Sequence, residues 1–165
     1  MQTHNINLNS KVEGHLFHLA IGNFDGIHLG HQQIINSLVK KAKQSNRLSA
    51  ILSFNPHPRQ FFSRELDQYQ ILSEEKKQLI FTELGIDHYF CLKFDELLSN
   101  LSPVDFIKKI IVDQLKVEKL IIGYDFRFGK DRKGDTNLLL DHGKIHGFNL
   151  ETIEKINNPK TNDPY

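Results

Sequence analysis

The chain is 165 residues long, 39% hydrophobic and 25% charged, with 21 Lys and Arg against 20 Asp and Glu for a formal net charge of +1. That length suits one domain with a sizeable core, and the near-neutral balance excludes a broadly basic nucleic-acid-binding surface. One cysteine, Cys91, excludes an internal disulfide and a cysteine-rich metal site; no apolar run approaches the ~20 residues that span a bilayer, and the polar start, residues 1–11, lacks a signal-peptide pattern, so a cytoplasmic protein is expected.

Residues up to about 13 read as a short, loosely structured arm. Residues 15–21 read as the first strand, with an apolar end at Leu19-Ala20-Ile21. A glycine-rich turn follows: Gly22-Asn23-Phe24-Asp25-Gly26-Ile27-His28-Leu29-Gly30-His31. Over 32–43, Ile34, Ile35, Leu38, Val39 and Ala42 form one helical face, with lysines near the C-terminal end. Strand, glycine-rich turn and helix is the order a phosphate site needs. Glycines let the backbone approach an anion, and the helix start offers unpaired N–H donors and a positive dipole end. His28 and His31 can aim both rings into one small volume, donate to phosphate oxygens and carry charge near neutral pH. Taken alone, such a turn is common in α/β proteins, and an isolated histidine is usually a surface or satisfied core residue.

Residues 47–54 read as a second strand. Strand, helix and strand within about forty residues make a right-handed parallel crossover. Pro56 and Pro58 stop that strand and form a rigid loop at its C-terminal end, the edge where open parallel sheets bind ligands. Residues 59–70, with Phe61, Phe62 and Tyr69, read as a mobile loop or short helix. Ser73 reads as an N-cap, with Glu74 and Glu75 in the first turn of a helix that Gly85 ends. Residues 88–92 are a third strand, with Cys91 as a small core residue. Residues 94–101 are a connection, and Ser102-Pro103-Val104-Asp105 opens the next helix. The next strand is 119–123, and the loop 124–133 carries Arg127, Lys130, Arg132 and Lys133 against Asp125 and Asp131. A basic loop there suits a phosphorylated ligand, although a bare charge run is more often solvated surface. Asp135 caps a further helix that ends near Gly147. Residues 148–153 are the last strand, and 157–165 read as an exposed turn. Alternating strands and helices without repeats or linkers predict one doubly wound α/β sheet.

Three stretches carry a family resemblance. The turn at 22–31 resembles the H-x-G-H signature of the nucleotidyltransferase superfamily. Phe54-Asn55-Pro56-His57-Pro58 resembles the F-x-P-H-P loop of its bacterial FAD synthetase branch, and Gly123-Tyr124-Asp125-Phe126-Arg127-Phe128-Gly129, with Gly134 beyond, resembles that branch's G-x-D-F-x-F-G segment. The similarity covers nearly the whole chain in the family's order and points to the N-terminal FMN adenylyltransferase module of the bifunctional riboflavin kinase/FMN adenylyltransferase.

The resemblance implies a Rossmann-like single domain that makes FAD and pyrophosphate from FMN and ATP, with Mg²⁺ bridging phosphate oxygens. It implies His28 and His31 as the catalytic pair. On the ATP side it implies Gly22, Asn23, Phe24, Asp25, Gly30, Asp125 and Arg127. On the flavin side Asn55, Pro56, His57, Pro58 and Phe128 would supply rigid walls and an aromatic face. Asp25 could instead close an Asx-turn and His57 steady its own turn. His142 and His146 are spaced i, i+4 but lack a third ligand nearby, which favours surface positions. No metal-binding residue, nucleic-acid partner or membrane partner is expected. The family's Ser-Ser-Thr-x-x-Arg-type segment, which holds ATP phosphates, would begin about where residues 162–165 stand, and its riboflavin kinase module would follow. The expectation is therefore a C-terminally incomplete module with weak or absent turnover. The alternatives are a non-catalytic flavin- or nucleotide-binding module and another H-x-G-H adenylyl- or cytidylyltransferase.

Overall fold

The apolar runs become strands. In the computed structural model, which describes residues 1–63 and 71–154, they are β1 (Gln2–Ile6), β2 (Phe17–Ile21), β3 (Leu48–Asn55), β4 (His88–Lys93), β5 (Val117–Gly123) and β6 (Asn149–Ile153). All pair in parallel, in the order β1-β4-β3-β2-β5-β6. Strands buried on both faces need apolar residues at consecutive positions, and all five residues of β2 are buried.

The two faces separate by parity along each strand. Phe17, Leu19, Ile21, Leu52, Phe90, Leu120 and Ile122 join one core, with Ile107, Ile110, Ile111 and Leu139 over it. Ala20, Ile51, Tyr89, Cys91 and Ile121 join the other, under Ile34, Ile35, Leu38 and Phe81. The covering helices on that second face are α1 (Leu29–Gln44) and α3 (Glu74–Glu83). The first face is covered by α5 (Pro103–Phe106), which runs on as a π-helical stretch (Ile107–Gln114), and by α6 (Thr136–His146). Two short helices, α2 (Pro58–Phe62) and α4 (Glu96–Ser99), follow β3 and β4. This is the doubly wound α/β arrangement expected from the alternation. Among the described residues no helix is long and apolar enough to cross a membrane.

Most caps form as the sequence predicts. Ser73, Ser102 and Asp135 each accept a backbone N–H three residues on, and Gly147 ends α6 at φ 82. The N-terminal arm is a correction. Residues 2–6 are an edge strand, not a loose arm, because Ile6 is buried and His4 makes a 3.0 Å contact from Nε2 to His88 Nδ1. The helix expected over 32–43 starts earlier, at Leu29, because the His28 side chain caps it. Residues 64–70 of the expected loop, Tyr69 included, and the expected turn at 157–165 lie outside the described residues.

Candidate active site at the sheet's switch point

Strand order reverses between β2 and β5, and an open α/β sheet binds ligands in the crevice beyond the carboxyl ends of such a pair. The chain's glycine-rich turn leaves β2 there and feeds straight into α1. Gly22, Phe24, His28, Gly30 and His31 line one side of that crevice, and Gly123, Tyr124 and Asp125 line the other, with Ile153 and Glu154 at the end of β6. This cleft measures about 190 Å³. A larger surface groove of about 460 Å³ lies between residues 8–14 and the end of the π-helical stretch. None of the nominated residues lines it, so chemistry singles out the smaller cleft.

The histidine pair is built by the helix start. His28 is the N-cap of α1, and its Nδ1 accepts the backbone N–H of His31 at 3.4 Å. The bond is long, but it fixes roles: with Nδ1 accepting, a neutral His28 carries its proton on Nε2 and keeps that N–H as a donor. The two rings stack with centroids 3.7 Å apart and 23° between planes. Gly30 makes room for this. A Cβ there would stand 3.2 Å from the His28 ring.

Burial is the main cause that holds His31 down to about 4, with His28 and Lys77 pushing the same way and Asp25 opposing. His28 is also lowered, chiefly by burial, with Asp125 pulling it up. Both rings are therefore neutral at pH 7, donors by their N–H groups, and not the cations that histidine chemistry alone allowed. His31 Nδ1 is buried without a hydrogen-bond partner.

Three nominated residues have duties other than lining this cleft. Asp25 neither lines the cleft nor closes an Asx-turn. Its Oδ1 accepts the backbone N–H groups of Ile71 and Leu72, at 2.8 and 3.2 Å, just before the Ser73 cap of α3. Arg127 turns to Asp135 at 3.5 Å and is half exposed, and Lys133 pairs with Asp131 at 3.4 Å. The basic loop is thus largely a solvated charge run supplied with its own carboxylates. Phe128 is 5% exposed and packs against Phe106 and Phe126. Its ring fills the core beside α5 and leaves no free face for a flavin.

Asn23 stands in the glycine-rich turn with its Oδ1 buried and without a hydrogen-bond partner. Asn55, Pro56, His57 and Pro58 sit at the end of β3, the strand next to β2. The Asn55–Pro56 peptide is cis. His57 is the N-cap of α2, its Nδ1 accepting the Arg59 N–H at 3.1 Å, so the turn-steadying role is realised. The aromatic surface beside this loop comes instead from Phe61, Phe62 and Phe94, which meet edge to face.

Sequence reading passed over a hydrogen-bonded group on β3, β4 and α3: buried Ser53, Lys77 and Tyr89 with partly exposed Glu74. Its signal was position. Ser53 and Tyr89 fall at inward-facing strand positions, and Lys77 precedes Phe81 by one helical turn. Among the described residues no group of three or more His, Cys, Asp or Glu side chains is placed to hold a metal ion.

Comparison with known proteins follows the same residues. Residues 11–162 match the model of the FAD synthetase family. A bifunctional riboflavin kinase/FMN adenylyltransferase from Buchnera aphidicola subsp. Schizaphis graminum is 38% identical over 92% of the chain and 46% of its own length. The Escherichia coli K12 protein of the same name is 32% identical over 82% of the chain and 44% of its own length. The chain spans less than half the length of these relatives. Among solved structures, a macrolide-efflux protein from Streptococcus pneumoniae superposes with TM-score 0.84 at 21% identity, over 97% of this chain and 52% of its own. A pantoate-beta-alanine ligase from Francisella tularensis superposes with TM-score 0.60 at 16% identity, over 100% of this chain and 70% of its own. At those identities the superpositions speak for the fold alone.

Proposed function

The chain belongs to the FAD synthetase family, and from that premise we propose that its histidine-lined cleft transfers the adenylyl group of ATP to FMN. An FMN phosphate oxygen forms a bond to the α-phosphorus of ATP. The bond from that phosphorus to the bridging oxygen breaks, and pyrophosphate leaves with the electron pair. FMN brings an already ionised nucleophile, so no protein base is needed. The protein's tasks are alignment of two anions and stabilisation of charge on the α-phosphoryl and pyrophosphate oxygens. Mg²⁺ bound with ATP would neutralise part of the phosphate charge, and among the described residues no group of three or more His, Cys, Asp or Glu side chains would hold it apart from the nucleotide.

One observation carries this reading: two stacked, neutral imidazoles at the N-terminus of α1, in the crevice between β2 and β5. The His28 Nε2–H, the His31 ring and the free N–H groups of the first helical turn are all donors, a set suited to phosphate oxygens. Gly22, Asn23, Phe24 and Gly30 shape the ATP side, and Asp125 faces the nucleotide across the cleft. Asp25 supports the ATP side by holding the entrance to α3, while Arg127, paired with Asp135, would meet the nucleotide only by leaving that partner. Asn55, Pro56, His57 and Pro58 form the flavin side, with Phe128 as packing beneath the neighbouring loop. The protein works on small molecules in the cytoplasm, without nucleic acid or membrane.

The direct test incubates the chain with ATP, Mg²⁺ and either FMN, pantetheine phosphate or nicotinate mononucleotide, and follows pyrophosphate release. Release with FMN above the other two supports the reading. Preference for another acceptor would move the chain to a different adenylyl transfer, and FMN binding without release would leave a binding module.

A further inference from the structure

Between α3 and the strands β3 and β4 lies a polar chain, buried except for a partly exposed Glu74, that adenylyl transfer does not by itself require. Tyr89 Oη is 2.5 Å from Ser53 Oγ and donates to Glu74 Oε2 at 2.6 Å. Glu74 Oε1 accepts from Lys77 Nζ at 3.0 Å. Ser53 and Tyr89 are fully buried, and the Lys77 side chain is 1% exposed. A Lys and a Glu one turn apart on a helix ordinarily face water. A buried ion pair is a weak source of stability, because an apolar pair of the same volume often holds a fold as well. Stability is therefore a poor reason for this arrangement, and its location suggests a better one.

The first turns of α3 touch both halves of the site. Asp25, from the glycine-rich turn, holds the two amides that lead into α3. Phe81, one turn after Lys77 on the same helix face, packs against Phe24 with centroids 5.8 Å apart, and Phe24 lies 5.2 Å from the His31 ring. Ser53 stands two residues before Asn55 on the strand that ends in the proline loop.

We propose, on the footing of the adenylyl-transfer reading, that Ser53, Tyr89, Glu74 and Lys77 form a positioning network shared by the ATP and flavin sides. It ties the later part of β3 and the start of β4 to α3 and sets the Lys77 ammonium within electrostatic reach of both His31 and His57. The charged and titratable groups acting on His31 are His28, Asp25 and Lys77, and those acting on His57 are Asp25, Lys77 and Arg59. Glu74 is the ion-pair partner of Lys77. Burial is the leading cause at both rings; Lys77 works with it and Asp25 against it. The network thus helps keep both imidazoles uncharged until an anion arrives, so the two loops respond together to bound phosphate.

The test combines imaging of individual imidazoles by ¹⁵N NMR titration with pH profiles of FMN adenylylation. In Lys77→Met the titration midpoints of His31 and His57 move up, while that of His88, at the opposite end of the sheet, stays. Turnover at neutral pH falls about tenfold through kcat with KM for ATP little changed, and Lys77→Arg restores both readouts. The double variant Glu74→Gln/Lys77→Met removes both charges, folds, and shows the same upward movement. Unmoved midpoints at His31 and His57 in either folded variant overturn the proposal. Absence of both ATP and FMN binding in the wild type would sink the adenylyl-transfer reading, and the titrations would still decide the network.

Discussion

His28 Nδ1 accepts the backbone N–H of His31 at 3.4 Å, and the imidazole of each stacks on the other at 3.7 Å. On the proposed reading one side chain serves as helix cap and as phosphate donor. The two duties separate by mutation. His28→Ala should cost about 0.5–1 kcal/mol through loss of the cap and slow FMN adenylylation by about 10²–10³ through loss of the donor. His28→Asn keeps a capping acceptor, so urea unfolding should stay near wild type while the rate stays low. His31→Ala carries no capping loss and should show the rate defect alone. Turnover within a few-fold of wild type in both alanine variants would remove the pair from the chemistry.

Acid should weaken the fold in a defined window. His18, His28, His31, His57 and His88 all lie below the usual histidine value, burial being the leading cause in each. Each folded-state pKa is depressed, so the unfolded chain binds more protons over that range. Their stabilisation is complete above about pH 6.5, the free value, and is lost as pH falls from there towards about 4, the value for His31. Urea midpoints taken from pH 8 down to pH 5 should fall steadily below 6.5. His18, buried on β2 and 3.9 Å from Glu118, should contribute visibly, and His18→Gln should flatten the curve. A midpoint that rises on acidification would contradict this.

Gly129 gives the glycine of the G-x-D-F-x-F-G segment a physical reason. Its φ is +72, and a Cβ would stand 2.8 Å from the Pro103 backbone at the start of α5. Beside it, Lys130 donates its N–H to Leu101 O at 2.8 Å, and Phe128 and Gly134 exchange backbone hydrogen bonds. Gly129→Ala therefore meets both strain and a clash with backbone. A loss of about 2–4 kcal/mol is expected, from overpacking and a disfavoured φ together, and thermal unfolding measures it. An unchanged Tm would mean that α5 can draw back at no cost.

Periodicity and cap chemistry made most of the sheet and helices readable, since buried parallel strands need unbroken apolar runs and Ser73, Ser102 and Asp135 announce their helices. The edge strand β1 was hidden. Gln2, Thr3, His4 and Asn5 carry no apolar pattern, and what holds them is parallel pairing with β4, joined by a histidine contact to a residue 84 positions away. Asp25 was visible as a polar turn residue, but its partners lie 46 and 47 positions on. Phe128 offered an aromatic ring without saying which way it faces. Lys77 sits in a run of Glu and Lys that reads as solvated surface, and only its position one turn before Phe81 hints at burial. The site's donors were local in sequence and therefore legible. Its supports are tertiary and were not.

Asp25 supplies a separable test of one such support. Its carboxylate accepts two backbone N–H groups at the entrance to α3. Hydrogen bonds to a charged acceptor are worth about 1.5–3 kcal/mol. Asp25→Ala should lower stability by an amount in that range, and amide exchange at Leu72 should quicken more than exchange at Leu38 in α1. Asp25→Asn keeps a neutral acceptor and should lose about half as much. Equal protection at Leu72 in wild type and Asp25→Ala would show that α3 is seated without this contact.

Binding of ATP should take up protons. His31 is held at about 4 by burial and by its neighbours, and His28 is lowered as well, so at pH 7 the pair carries little charge. A polyphosphate in the same cleft adds negative charge within hydrogen-bond reach, which favours the protonated ring. The two effects oppose each other, and linkage then requires affinity to rise as pH falls through the interval between the free and the bound pKa of the pair. Calorimetry of ATP binding at pH 6.5, in buffers of differing ionisation enthalpy, reads the uptake directly. A positive uptake, reduced in His31→Ala, is the expected result. No uptake at any pH from 5.5 to 7.5 would mean that the rings meet phosphate only as neutral donors, and tighter binding at high pH would place the triphosphate elsewhere.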